Sequence, residues 1–206
     1  TVHQQRAVYG STLFSPLTIV SSQIGLLNNL SYSRILAANE SYDYEFDSSA
    51  LGYIRHFVPT KYGLLTFTDV GIWNVSGSNG AISPTDIQVD PETNNGCSDL
   101  YPLNIDTDIF YLEAGNHVAR LLTYNDYTKS YGGKNVSILG GDLIAEPYDL
   151  TSWCYASRPF NQITATRDDG TLVMLTLDTE QEVFAWYSAE TFGEMKRVIA
   201  LREPES

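Results

Sequence analysis

The chain has 206 residues, 43% of them hydrophobic and 18% charged, with 14 Tyr, 8 Phe and 3 Trp, a composition that supports a packed core and excludes a disordered polar chain. Twelve Lys and Arg against 25 Asp and Glu leave a net charge of −13 and a pI near 4.4, which excludes an unguided electrostatic grip on phosphate backbones. No run approaches the ~18 consecutive apolar residues of a membrane-spanning helix, and the polar start, residues 1–6, lacks the apolar centre of a secretory signal.

In chain order, Ala7 to Tyr9 and Leu17 to Ser21 predict the first strands. Residues 42–46 alternate aromatic and acidic side chains, which puts Tyr42, Tyr44 and Phe46 on one face of a strand and Asp43 and Glu45 on the other. Ile54 to Val58, Leu64 to Thr68 and Ile72 to Val75 read as three more strands, separated by the breaks 59–63 and 69–71, with Trp73 in the last. The segment Pro84 to Leu103 holds three of the eight prolines and reads as loop. Asp108 to Leu112 and Val118 to Tyr124 are expected as strands, and Asn125 to Lys134, with Tyr127, Tyr131 and Gly132-Gly133, as a polar loop. Asp142 to Tyr148 is the best short helix, and Leu150 to Ala156 predicts a strand carrying Trp153 and Cys154.

Residues 161–201 make the clearest unit. Ile163 to Thr166 leads into Arg167-Asp168-Asp169-Gly170, and Asp-Gly between β-rich runs signals a hairpin because Gly accepts positive φ. Strands are expected at Thr171 to Leu177, at Val183 to Tyr187 around Trp186, and at Met195 to Leu201. Four short strands in about 40 residues match one β-propeller blade, while a sandwich or an open meander uses the same local grammar. The strand, turn and Trp order of 54–75 repeats that of 161–188. The expected fold is therefore all-β, with tandem antiparallel sheets resembling propeller blades and minor helix. Residues 1–206 form one β-rich domain or part of a larger propeller subunit, with 161–201 as a blade-like unit.

The sequence offers little chemistry. It has no phosphate loop, no HExxH, no GxSxG elbow and no Asp-rich calcium loop, so neither an enzyme nor a bound cofactor or metal is expected. His3, His56 and His117 stand far apart in sequence. Asp106-Thr107-Asp108 and Asp168-Asp169 supply the carboxylate pairs of general acid and base catalysis, but turn capping accounts for both more simply. Cys97 and Cys154 are isolated and read as thiols, with a disulfide as the alternative. Asn29, Asn39, Asn74 and Asn135 open Asn-x-Ser sequons, for which chance is the better account. Trp73, Trp153 and Trp186 are expected in the core.

Gln4-Gln5-Arg6, YIRHFVP at 53–59, LLTFTDVGIWNVSG at 64–77, SDLYPLNIDTDIFYLEAGNHVARLLTYN at 98–125 and RDDGTLVMLTLDTEQEVFAWYS at 167–188 occur in an order that resembles the tail nozzle family of short-tailed bacteriophages, also called tail hub or packaged-DNA stabilisation proteins. The resemblance runs from about residue 4 to 201 and rests on collinear order rather than on one specific motif. It implies a propeller-containing virion subunit that assembles in the host cytoplasm as a homo-oligomeric ring, six copies in the family, below the portal and adaptor. Such a ring extends the DNA channel and holds the packaged genome until ejection, without catalytic residues or cofactors. Family members are usually longer, so a part of a subunit is expected. On this reading Asp43, Glu45, Asp106 and Asp108 are candidate channel-lining carboxylates that let DNA pass without sticking. A carbohydrate-binding or glycosidase-type propeller is the alternative, and an extracellular binding module with a Cys97 to Cys154 disulfide is a third reading.

Overall fold

The computed structural model describes residues 1–33, 37–47, 52–145, 147–179, 181–190 and 192–201. The chain divides into two compact units, Thr1–Cys97 and Ser98–Ser206. Each unit holds two four-stranded antiparallel sheets, and in all four the strands follow one another as a meander.

In the first unit, β1 (Val2–His3), β2 (Arg6–Gly10), β3 (Thr18–Ser21) and β4 (Tyr42–Glu45) form one sheet. The other is built from β5 (Ile54–Pro59), β6 (Leu64–Thr68), β7 (Ile72–Ser76) and β8 (Gln88–Thr93). The alternation in β4 is realised, with Tyr42 and Phe46 buried, Tyr44 half-buried, and Asp43 and Glu45 exposed. Every residue of β6 is buried, as befits a central strand whose two faces are both covered. The two sheets share one apolar core in which Val8, Ile19, Tyr42 and Phe46 meet Ile54, Leu64, Val75 and Ile82. Trp73 is half-buried at its margin, 5.5 Å from the Phe46 ring.

A polar staple accompanies this core. Arg6 is 1% exposed, and its guanidinium donates to the carbonyls of Ser22 at 2.7 Å, Ala38 at 2.7 Å and Glu40 at 2.5 Å while lying 5.4 Å over the Tyr42 ring. Backbone acceptors stand where a carboxylate would otherwise be needed to accept a buried cation. Gln4, in the turn between β1 and β2, makes a second tie. Its Nε2 donates to Gly80 O at 2.6 Å and its Oε1 accepts from Ile82 N at 2.8 Å.

In the second unit, β9 (Leu103–Ile105), β10 (Asp108–Leu112), β11 (Ala119–Asn125) and β12 (Ser130–Asn135) form one sheet. After the single-turn α1 (Gly141–Ile144), β13 (Leu150–Ala156), β14 (Gln162–Arg167), β15 (Leu172–Asp178) and β16 (Val183–Ala189) form the other. Phe110, Leu112, Ala119 and Leu121 pack with Ile144, Leu150, Ile163, Ala165, Val173, Leu175 and Leu177 in one core. Burying a side chain such as Leu175 contributes roughly 1.5–3 kcal/mol. The two tryptophans are half-buried against this core, and each indole N–H donates to a carbonyl, Trp153 to Tyr101 and Trp186 to Val136, both at 2.8 Å. Gly140 lies so close to Trp186 that a Cβ on it would stand 2.4 Å from the indole side chain.

Four expectations need correction. The loop-like stretch 84–103 contains β8, which pairs with β7 at one end of its sheet and tolerates Pro91 because the ladder shifts register there, between Ile72 and Trp73. The polar stretch 125–134 contains most of β12, whose Gly132 and Gly133 pair with Thr123 and Leu122. The helix is shorter than 142–148 and starts at Gly141. Met195 to Leu201 forms no strand, so the last sheet takes its fourth strand from β13 and runs from 150 to 189. Segment 195–201 instead lies beside the sheet, with Met195 N donating to Gly170 O at 3.0 Å and Val198 N to Ser152 Oγ at 3.4 Å.

Candidate functional site

Asp43 and Glu45 sit on β4, opposite Val20 and Thr18 of β3, and point away from the apolar core into solvent. Their position follows from the two-residue period of the strand, because Tyr42, Tyr44 and Phe46 take the covered face.

Asp106 and Asp108 belong to the second unit. Ile105 pairs with Asp108, so Asp106 and Thr107 form the tip of a two-residue hairpin in which Asp106 has φ 54°, a left-handed conformation that Asp tolerates better than most residues. Asp106 is exposed, whereas Asp108 is half-buried. The register that pairs Ile109 with Leu122 brings Thr123 beside Asp108, and the two side chains hydrogen-bond. Desolvation pushes the Asp108 carboxyl above its ordinary range, the charge of Asp106 adds to this, and the Thr123 hydrogen bond opposes it. Tyr155 of β13 feels the same turn. Burial and then the Asp106 charge push its phenol upward, and its hydroxyl donates to Asn161 Oδ1 at 3.1 Å. Asp106 and Asp108 therefore come together with Thr123 and Tyr155, two residues that local sequence reading did not single out. Chemically, the group binds a proton at Asp108 more readily than an isolated aspartate does.

Asp168 and Asp169 behave as turn residues. Gly170 has φ 83°, Asp169 Oδ1 accepts from Thr171 N at 3.0 Å, and Oδ2 accepts from Arg167 Nη2 at 2.6 Å. Burial acts to raise the Asp169 carboxyl, but the Thr171 hydrogen bonds and Arg167 together hold it below the ordinary range.

Three shallow depressions mark the described surface. One of about 380 Å³ is lined by Leu100, Tyr101, Leu103, Trp153 and Arg197 among others. Another, about 260 Å³, lies along 155–158 against Ala200 and Leu201, and a third, about 240 Å³, has Val136, Ile138 and Phe184 beside the Lys134 to Glu182 ion pair. Leu13, Phe14, Tyr127 and Leu139 are more than four-fifths exposed.

Among the described residues no cluster of three or more His, Cys, Asp or Glu could hold a metal ion. Burial lowers His3. Cys97 is buried and Cys154 half-buried, no disulfide joins them, and burial pushes the Cys154 thiol up. Asn74 is buried in β7, and Asn135 Oδ1 accepts from both the N–H and the hydroxyl of Ser137 at 2.9 Å, so one of these sequon residues is covered and the other has a local side-chain role. No helix among the described residues is long and apolar enough to cross a membrane. No protein-family model matches the chain, and no curated protein matches it either.

Proposed function

We propose that the chain is a structural virion subunit, part of the tail nozzle ring of a short-tailed bacteriophage. In this reading copies of the chain close a ring, a hexamer, below the portal and adaptor. The ring extends the DNA channel, retains the packaged genome and lets it pass on ejection. The observation that carries the reading is the collinear order of the five segments quoted above, with four consecutive four-stranded sheets as the kind of building block it calls for. The net charge of −13 suits a wall past which DNA slides, since screening confines the effect of each carboxylate to about 8 Å at physiological salt. Asp43, Glu45 and Asp106 are exposed enough to act in this way, whereas Asp108 is half-buried and hydrogen-bonded to Thr123.

The test is electron microscopy of the protein alone and mixed with tail-less capsids of a matching phage. Rings or density at the capsid vertex are expected, and a monomer that ignores capsids overturns the reading. Charge reversal by Asp43→Lys, Glu45→Lys and Asp106→Lys should slow or arrest ejection with assembly intact. Normal ejection from such particles removes the channel role of these residues while leaving the ring itself standing.

A carbohydrate-binding or glycosidase-type propeller is favoured by one feature, the depression that places Tyr101, Trp153 and Arg197 together. Binding on a glycan array, lost in Trp153→Ala, supports that alternative, and silence on the array removes it.

A further inference from the structure

The sequence contains two Asn-Gly pairs, Asn79-Gly80 and Asn95-Gly96. Glycine after asparagine leaves the following nitrogen unshielded by a Cβ and free to rotate into the Asn side chain. The fold treats the two pairs differently. Ser78, Asn79 and Gly80 are all exposed, and nothing lies within 4 Å of where a Cβ would stand on Gly80. Among the described residues the Asn79 carboxamide has no hydrogen-bond partner. Asn95 is half-buried with its N–H bonded to Thr93 Oγ1 at 3.1 Å, and Gly96 is buried so tightly that a Cβ would lie 1.9 Å from Asp69 O.

We infer that Asn79-Gly80 is a self-modifying site, a spontaneous deamidation point whose rate is set by Gln4. The Gly80 nitrogen attacks Asn79 Cγ, so an N–Cγ bond forms, the Cγ–Nδ2 bond breaks, and ammonia leaves with the amide proton. Water then opens the cyclic imide at either carbonyl, giving aspartate or isoaspartate, and one carboxylate replaces one amide. Two restraints oppose the attack. The Gly80 N–H is engaged with Gly77 O at 2.8 Å, and the Gly80 carbonyl is held by Gln4 Nε2. The Gln4 carboxamide also takes the Ile82 N–H, so it brackets residues 80–82 and limits how far the turn opens.

The product acts back on this bracket. Isoaspartate adds one methylene to the main chain inside the turn that the Gly80 N–H closes on Gly77 O, which shifts residues 80–82 together relative to β7 and draws both the Gly80 carbonyl and the Ile82 N–H away from Gln4. Modification therefore releases the tie between the β1–β2 turn and the β7–β8 connection of the first unit. The inference stands independently of the nozzle reading.

The test is incubation of the full chain in warm, mildly alkaline buffer, followed by peptide mass spectrometry and enzymatic isoaspartate detection. Asn79 should convert at least about tenfold faster than Asn95, because an exposed turn opens at little cost while a buried one requires wider unfolding. In denaturant the two sites should convert alike. Gln4→Ala, and separately Gln4→Glu, which keeps the acceptor for Ile82 but loses the donor to Gly80, should accelerate Asn79 and leave Asn95 unchanged. Equal rates at the two sites in the native chain overturn the site, and an unchanged Asn79 rate in both Gln4 variants overturns its control.

Discussion

The two units solve the same packing problem with different materials. Thr1–Cys97 packs its two sheets over a modest apolar core and supplements it with polar ties, the buried Arg6 guanidinium on three carbonyls and the Gln4 carboxamide across residues 80–82. Ser98–Ser206 relies on a larger apolar cluster with half-buried tryptophans whose indole N–H groups are satisfied by carbonyls. The difference teaches where each unit is vulnerable. A polar staple fails when one partner is removed and several acceptors are orphaned, whereas an apolar core fails in proportion to the volume taken out.

The sharpest way to break the comparison is Phe110→Ala. Phe110 is fully buried and 5.2 Å from the Trp153 ring, so the loss should be about 3–5 kcal/mol in urea unfolding, with hydrogen exchange rising first across Ser98–Ser206. Arg6→Ala follows at roughly 3 kcal/mol, the carbonyls of Ser22, Ala38 and Glu40 having lost their donors, and exchange should rise first within Thr1–Cys97. If both variants loosen the same unit, the contrast between the units fails. Gly140→Ala should cost about 1–3 kcal/mol through the clash with Trp186, visible as a red shift of its fluorescence on partial exposure.

The smallest effects concern protons, and here two aspartates should respond with opposite signs. Asp108 has a folded value above its ordinary 3.8, so the folded state binds its proton more tightly and the associated stability is lost as pH rises from 3.8 through the folded value. Asp108→Asn should therefore gain on the parent chain as pH increases over that window. Asp169 lies below 3.8, so its contribution is present above 3.8 and lost as pH falls through the folded value, and Asp169→Asn should fall behind the parent as pH rises. Paired thermal melts across acid pH check both slopes. Matching slopes for the two variants would refute the assigned environments.

Which parts of this were legible in the sequence follows from where the information resides. The inner strands β6, β10, β14 and β15 announce themselves through β-branched and aliphatic runs, because central strands are covered and must be apolar. β8 and β12 do not, since Pro91, Glu92, Gly132 and Gly133 are loop residues by local chemistry and are strand only because β7 and β11 offer a ladder. Met195 to Leu201 errs the other way, a β-prone run with no ladder to join. At the candidate site, the alternation that exposes Asp43 and Glu45 and the Asp106 turn are local and could be read. Thr123 reaches Asp108 through pairing of β11 with β10, and Tyr155 feels the Asp106 charge from the other sheet of the unit, neither of which a local pattern encodes.

The irregular composition of those outer strands has a consequence for behaviour in crowded solution. β8 and β12 each end a sheet, and an open row of N–H and C=O groups is an invitation to any other extended chain. Pro91 has no N–H to offer a partner and sits where the first ladder shifts register, while Gly132, Gly133 and Lys134 leave the second with little apolar surface and a cation at its margin. The residues that hid these strands from a reading of the sequence also blunt these two edges against pairing in endless stacks.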